Sequence, residues 1–79
     1  MDEKTQAIVA EICMALGYDP KNPPVQVDDK QAAQALGVKP TTLSIWRSTG
    51  RYNLPYVKVG RLIRYRVSDL AAFLARRTH

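Results

Sequence analysis

Histidine, cysteine and, beyond residue 29, acidic side chains are nearly missing from this chain of 79 residues. Its one cysteine, Cys13, cannot close an internal disulfide. Its spacing with Ile8, Val9, Ile12 and Leu16 marks it as a small core residue rather than a reactive thiol. The one histidine is the terminal His79, and the one acid in residues 30–79 is Asp69, placed to serve a helix terminus. No nucleophile has a base beside it and no cluster has metal-ligand spacing, so no catalytic residue, metal or small-molecule cofactor is expected. Four glycines are too sparse for a loop that cradles phosphates. No apolar run approaches the roughly 18 to 20 residues of a membrane span, and the first residues lack a charged-then-apolar secretion pattern. One cytoplasmic domain with a single small core is expected.

What is present is positive charge, unevenly placed. Residues 1–29 carry six acids (Asp2, Glu3, Glu11, Asp19, Asp28, Asp29) against Lys4 and Lys21, a net of −4. Residues 30–79 carry ten basic residues against Asp69, a net of +9. A basic half of this density is the footprint of a polyanion partner.

Inside that half, KQAAQALGVKPTTLSIWRST (residues 30–49) has the spacing of two short helices packed across a tight turn. Ala33 is small enough to let the second helix approach closely. Gly37 follows Ala33 and Leu36, where the first helix must stop in a left-handed conformation. Pro40 suits the first turn of the next helix, whose buried stripe is Leu43 and Trp46. This is a helix-turn-helix, a motif that usually reads DNA, although an ordinary helical hairpin uses the same residue types.

The flanking segments complete the order helix, helix-turn-helix, hairpin, helix. Residues 4–16 form an amphipathic helix ended by Gly17, followed by the Pro-rich connector YDPKNPP. Val25 and Val27 lead in extended form to the helix-turn-helix, with Asp28 or Asp29 capping its first helix. After the loop RYNLP the period changes to two. Val57, Val59, Ile63, Tyr65 and Val67 are expected on an apolar underside, and Lys58, Leu62, Arg64 and Arg66 on a basic upper side, with Gly60-Arg61 as the turn. Ser68 is expected as the N-cap of a last helix with Asp69 in its first turn, Leu70, Phe73 and Leu74 buried, and Arg76-Arg77 at its end. The fold class is mainly α with a small β-hairpin (α+β). An N-terminal helix and connector (1–24) precede a winged helix-turn-helix domain (25–79).

From Val25 to Arg77 the pieces AAQALGV, TTLSIW and LPYVKVGRLIRYRVSDLAAFL follow one another in a recognisable order. This order resembles the excisionase-like branch of the MerR-type winged-helix domains of phage, plasmid and integrative-element proteins. In that family LP, a basic hairpin with VG at its turn, and SDL opening a final helix follow the helix-turn-helix. The resemblance implies a prokaryotic or phage-encoded, nucleoid-associated protein that binds double-stranded DNA. Its recognition helix (about 40–48) would lie in the major groove and its wing (57–67) along the backbone or minor groove. The candidate contacts on the helix are Lys39, Thr41, Thr42, Ser44, Ile45, Arg47 and Ser48, and on the wing Lys58, Arg61, Arg64 and Arg66.

The helix departs from the family pattern in having no Arg, Lys or Tyr on its outward face, the side chains suited to bidentate guanine readout. Ile45 and Thr41 suit thymine methyls, and Ser44 a base or a phosphate. The alternative for Ile45 is packing on the N-terminal helix or on a neighbouring protein. Arg61, at the wing tip, suits a narrow minor groove. Lys58, Arg64 and Arg47 suit phosphates, and Arg66 has Asp69 as a rival partner.

Two roles within DNA binding are open: a recombination directionality factor that bends DNA, or a small transcription regulator of a mobile element. A protein-interaction module, recruiting an integrase, recombinase or packaging enzyme with only weak DNA binding, is the alternative. Self-association is compatible with each. The N-terminal helix then either braces the core or docks a partner.

Overall fold

The computed structural model describes residues 2–77; His79 lies outside them. Helix α1 (Glu3–Leu16) starts at Asp2, whose carboxylate accepts the Thr5 N–H at 2.8 Å, and stops at Gly17. Ile8, Ile12 and Cys13 turn one face of α1 into the core. The connector is tied back by Tyr18, whose hydroxyl accepts from Gln31 Nε2 at 2.7 Å. Strand β1 (Gln26–Asp28) leads without a break into α2 (Asp29–Leu36). Asp28 is the N-cap: its carboxylate accepts the Gln31 N–H at 2.7 Å, and the Gln31 side chain accepts the Asp28 N–H at 3.1 Å. This reciprocal box satisfies two donors that the first turn would otherwise leave open.

Gly37, at φ 72°, ends α2, and Val38 N–H returns to the Ala33 carbonyl at 3.0 Å. The left-handed residue reverses the chain within three positions, so that α3 (Pro40–Thr49) begins at once. Ala33 and Leu43, 1% and 0% exposed, meet in the core between the two helices. A 3-10 turn (Arg51–Asn53), β2 (Val57–Val59), β3 (Leu62–Arg66) and α4 (Val67–Arg77) complete the chain. Helix α4 packs against α1 and α2 and buries Val67, Leu70, Ala71 and Phe73, so one core joins all four helices to the sheet.

The architecture is mainly helical with a small antiparallel sheet, as the hydrophobic periods predict. The sheet has three strands in the order β1-β3-β2. The segment expected only as an extended lead-in is β1, which pairs Val27 with Tyr65 and Gln26 with Arg66.

Two details differ from the sequence reading. Helix α4 begins at Val67, so Ser68 lies inside its first turn rather than capping it. The Val67 N–H, a first-turn donor with no partner inside the helix, donates to the carbonyl of Val25, the residue just before β1, at 3.0 Å.

The second correction concerns the wing faces. The two-residue turn Gly60-Arg61 pairs Val59 with Leu62, Lys58 with Ile63 and Val57 with Arg64. Paired residues of an antiparallel ladder share a face. Val57 and Val59 therefore lie with Leu62, Arg64 and Arg66, whereas Lys58 lies with Ile63 and Tyr65. A period of two counted straight through the turn ignores the reversal of the chain and so assigns β2 to the opposite face. Val59 and Leu62, 64% and 55% exposed, stand beyond the reach of the core.

Candidate nucleic-acid interface

Helix α3 exposes Thr41, Ser44, Ile45, Ser48 and Thr49 along one side and turns Leu43 and part of Trp46 inward. The hydroxyls of Ser48 and Thr49 both donate to the Ile45 carbonyl, at 3.1 and 2.8 Å. Ile45 is 58% exposed, so the packing against α1 considered for it does not occur. Thr42 is half-buried, and Lys39, the exposed N-cap of α3, makes no side-chain bond to the first turn. The outward face is thus short, apolar and hydroxyl-bearing, with one cation at its start.

The wing carries its charges on a hydrogen-bonded antiparallel hairpin. Lys58 and Arg61 are exposed and have no carboxylate partner among the described residues. Arg61 sits at the tip, in the turn that Gly60 makes at φ 60°. Arg64 is half-buried and donates to its neighbour's carbonyl, Ile63 O, at 3.0 Å. Arg66 Nε meets Asp69 Oδ2 at 2.9 Å, yet its side chain remains 54% exposed. A cleft of about 390 Å³ runs between α3 and the base of the wing, lined in part by Arg51, Asn53, Tyr56 and Tyr65. Lys58 shares its sheet face with Tyr65, on the side that borders this cleft.

A helix-turn-helix domain family matches residues 28–78, which takes in α2, α3, β2, β3 and α4 and, of β1, only Asp28. The chain belongs to this helix-turn-helix family, in its excisionase-like branch. DNA is the partner that a helix-turn-helix implies. No curated protein and no solved structure matches the chain.

Within this helix-turn-helix, Arg47 is not available as a phosphate contact in the manner its position on α3 suggests. Its Nη1 lies 2.6 Å from Asp29 Oδ1 and 3.0 Å from the Tyr65 hydroxyl, and its side chain is 17% exposed. Burial works against its charge, but the bonds to Tyr65 and Asp29 outweigh it and raise its pKa above the ordinary arginine value. Arg47 therefore fastens α3 to the start of α2 and to β3. Tyr65 is wholly buried, and burial raises its hydroxyl above the usual tyrosine range despite the nearby guanidinium. The sequence offers no signal for this triad, because its members are 18 residues apart on either side of Arg47.

The structure also joins residues that spacing did not. Trp46, Tyr52 and Phe73 form an aromatic cluster, with ring centroids 4.9 to 6.3 Å apart, at the C-terminal ends of α3 and α4. Tyr52 and Asn53 are the two non-glycine residues with positive φ, at 67° and 50°, among the described residues. The loop reading of RYNLP contained no such signal. Among the described residues no group of three or more His, Cys, Asp or Glu side chains is placed to hold a metal, and no helix is long and apolar enough to cross a membrane.

Proposed function

We propose that the protein is an architectural double-stranded DNA-binding factor of a mobile element, an excisionase-like recombination directionality factor. In this reading α3 lies in the major groove and the wing follows the backbone, with Arg61 in the minor groove. The observation that carries it is the contrast between the two surfaces. The outward face of α3 offers hydroxyls and the Ile45 side chain, whereas Lys58 and Arg61 on the wing have no carboxylate partner among the described residues. Direct readout of guanine relies on long, planar donors. A protein without them on its helix draws specificity from groove shape and DNA deformability. A transcription regulator needs the opposite weighting.

With Arg47 committed to the core, the phosphate and groove contacts are Lys39, Lys58, Arg61, Arg64 and the exposed part of Arg66. Four or five such contacts contribute about −4 to the log–log salt slope, and by themselves a loss of affinity on the order of 10² to 10³ between about 50 and 200 mM salt. Arg61→Ala is expected to weaken binding most at A·T-rich sites, and Ser44→Ala to change it little. A flat salt titration removes the electrostatic reading. Footprinting across the protein's own genetic neighbourhood decides the role: several phased sites beside a recombination site support it, and one palindrome over a promoter turns it into a regulator.

A recruitment module is the second reading, favoured by Met14 and Val25, which stand 72% and 75% exposed on the acidic N-terminal part. Replacing both by Ser leaves DNA affinity unchanged in either case, and lowers binding of an integrase only if they form the docking surface.

A further inference from the structure

A second basic group lies outside the contacts just described. Arg51 directly follows Gly50, the C-cap of α3, and Arg77 is the last residue of α4. Both guanidinium groups lie against one ring: the Cζ atoms of Arg51 and Arg77 are 5.1 and 5.2 Å from the Tyr52 ring centroid. Arg77 also stacks over Phe73 at 3.7 Å. The Tyr52 ring is itself fixed edge-on to Trp46 and to Phe73. Its backbone is left-handed, a conformation that a bulky residue keeps only where its surroundings enforce it. Even so, Tyr52 is 43% exposed. The surroundings hold this ring at the surface, between two arginines.

Neither arginine has a carboxylate partner among the described residues, where the two ion pairs use Arg47 and Arg66. Arg77 donates one N–H to the Phe73 carbonyl at 3.3 Å, out of the five that a guanidinium carries. Stacking has already restricted both side chains, so an anion arriving here meets ordered donors.

Position selects the anion. Arg51 lines the cleft between α3 and the wing base, in continuity with the proposed DNA interface. A ten-residue helix is about 15 Å long, close to the roughly 12 Å width of the major groove, so its two ends approach opposite sugar–phosphate walls. Lys39 stands at one end and Arg51 at the other.

We propose that Arg51 and Arg77, positioned by Tyr52 and Phe73, form a phosphodiester-binding site on the groove wall reached by the C-terminal end of α3. This rests on the placement of α3 in the major groove proposed above. An acidic protein segment is the other ligand that two arginines accept, and the continuity of Arg51 with the cleft favours the phosphodiester.

The test uses the full chain and a fluorescently labelled mixed-sequence duplex, with affinity read by anisotropy from about 50 to 200 mM salt. Arg51→Ala and Arg77→Ala are each expected to reduce the magnitude of the log–log salt slope by about 0.9, and the double variant by about twice that. Each single change removes about a 3.5-fold share of the salt-induced loss over that range. The affinity loss is expected to be uniform across duplexes of different sequence, as for a phosphate contact. Tyr52 is a positioning residue. Tyr52→Phe keeps the slope and the affinity, while Tyr52→Gly lowers affinity and leaves the slope nearly intact because both charges remain.

Arg51, exposed and beyond the helix, keeps the test valid should Arg77→Ala loosen α4. A folded double variant with wild-type slope and affinity overturns the site; in that case Arg61→Ala still reduces the slope. A wild-type protein with no duplex affinity at low salt overturns the DNA placement as well.

Discussion

Arg47→Met tests whether the arginine on α3 belongs to the core or to DNA. Methionine keeps much of the aliphatic stem and removes the guanidinium. Two interactions disappear, and they are not equal. Asp29, 34% exposed at its side chain, regains water, so its share falls to the surface-pair range of about 0.2–1 kcal/mol. Tyr65 is 0% exposed, and a buried hydroxyl that loses its charged donor costs about 1–3 kcal/mol. Their sum spans about 1–4 kcal/mol, and the middle of each range gives a destabilisation of about 2–3 kcal/mol. A domain of this size holds about 4–12 kcal/mol in total, so the variant stays folded at room temperature. Each kcal/mol moves Tm by about 4–8 °C in a domain of 60–100 residues, so the Tm followed by circular dichroism should fall by roughly 8–24 °C. In a Tyr65→Phe background the added cost of Arg47→Met should shrink by about 1–2 kcal/mol, because the hydroxyl it would orphan is gone. The DNA salt slope should not change. An unchanged Tm with a slope reduced by about 0.9 would refute the reasoning and return Arg47 to a phosphate.

Deleting residues 1–22 removes Ile8 and Ile12, whose burial contributes about 3–6 kcal/mol, and bares the face of α4 they cover. The truncated chain should show no cooperative melt, and a folded, weakly associating remainder would show that α1 is a docking element instead. Stability should fall in alkali. Tyr65 keeps its proton to a higher pH in the folded chain than in the unfolded one, so its contribution is complete below the unfolded value of about 10 and is lost as pH rises through the folded value. Urea midpoints of wild type and Tyr65→Phe between about pH 9 and 11 check this, and parallel curves would exclude it. Cys13 is wholly buried, and burial, aided by Asp19, raises its thiol above the usual range. It should resist a thiol-specific disulfide reagent until denaturant is added, and fast labelling of native protein would place it at the surface.

The elements of this fold were legible because each is set by local chemistry. Gly17 and Gly37 stop helices, Asp28 and Gln31 start one, and Ala33, Leu43, Leu70 and Phe73 fall at helical spacing on faces that are buried. The basic hairpin was visible in the change of period at Val57. Its faces were not, because alternation within a strand says nothing about the reversal at Gly60-Arg61, which sets the register of β2 on β3.

What the sequence determined by itself was the order of the elements, the charge asymmetry and the helix-turn-helix that points to DNA. Tertiary structure decided which charges are free. Arg47 and Arg66 look alike in the sequence, yet one is held inside by Asp29 and Tyr65 while the other reaches Asp69 and stays half in water. It also decided that Arg51 and Arg77 converge on one tyrosine ring. The reason is distance: caps and periods act over a few residues, whereas ion pairs and stacking form between segments that only the packed core brings together.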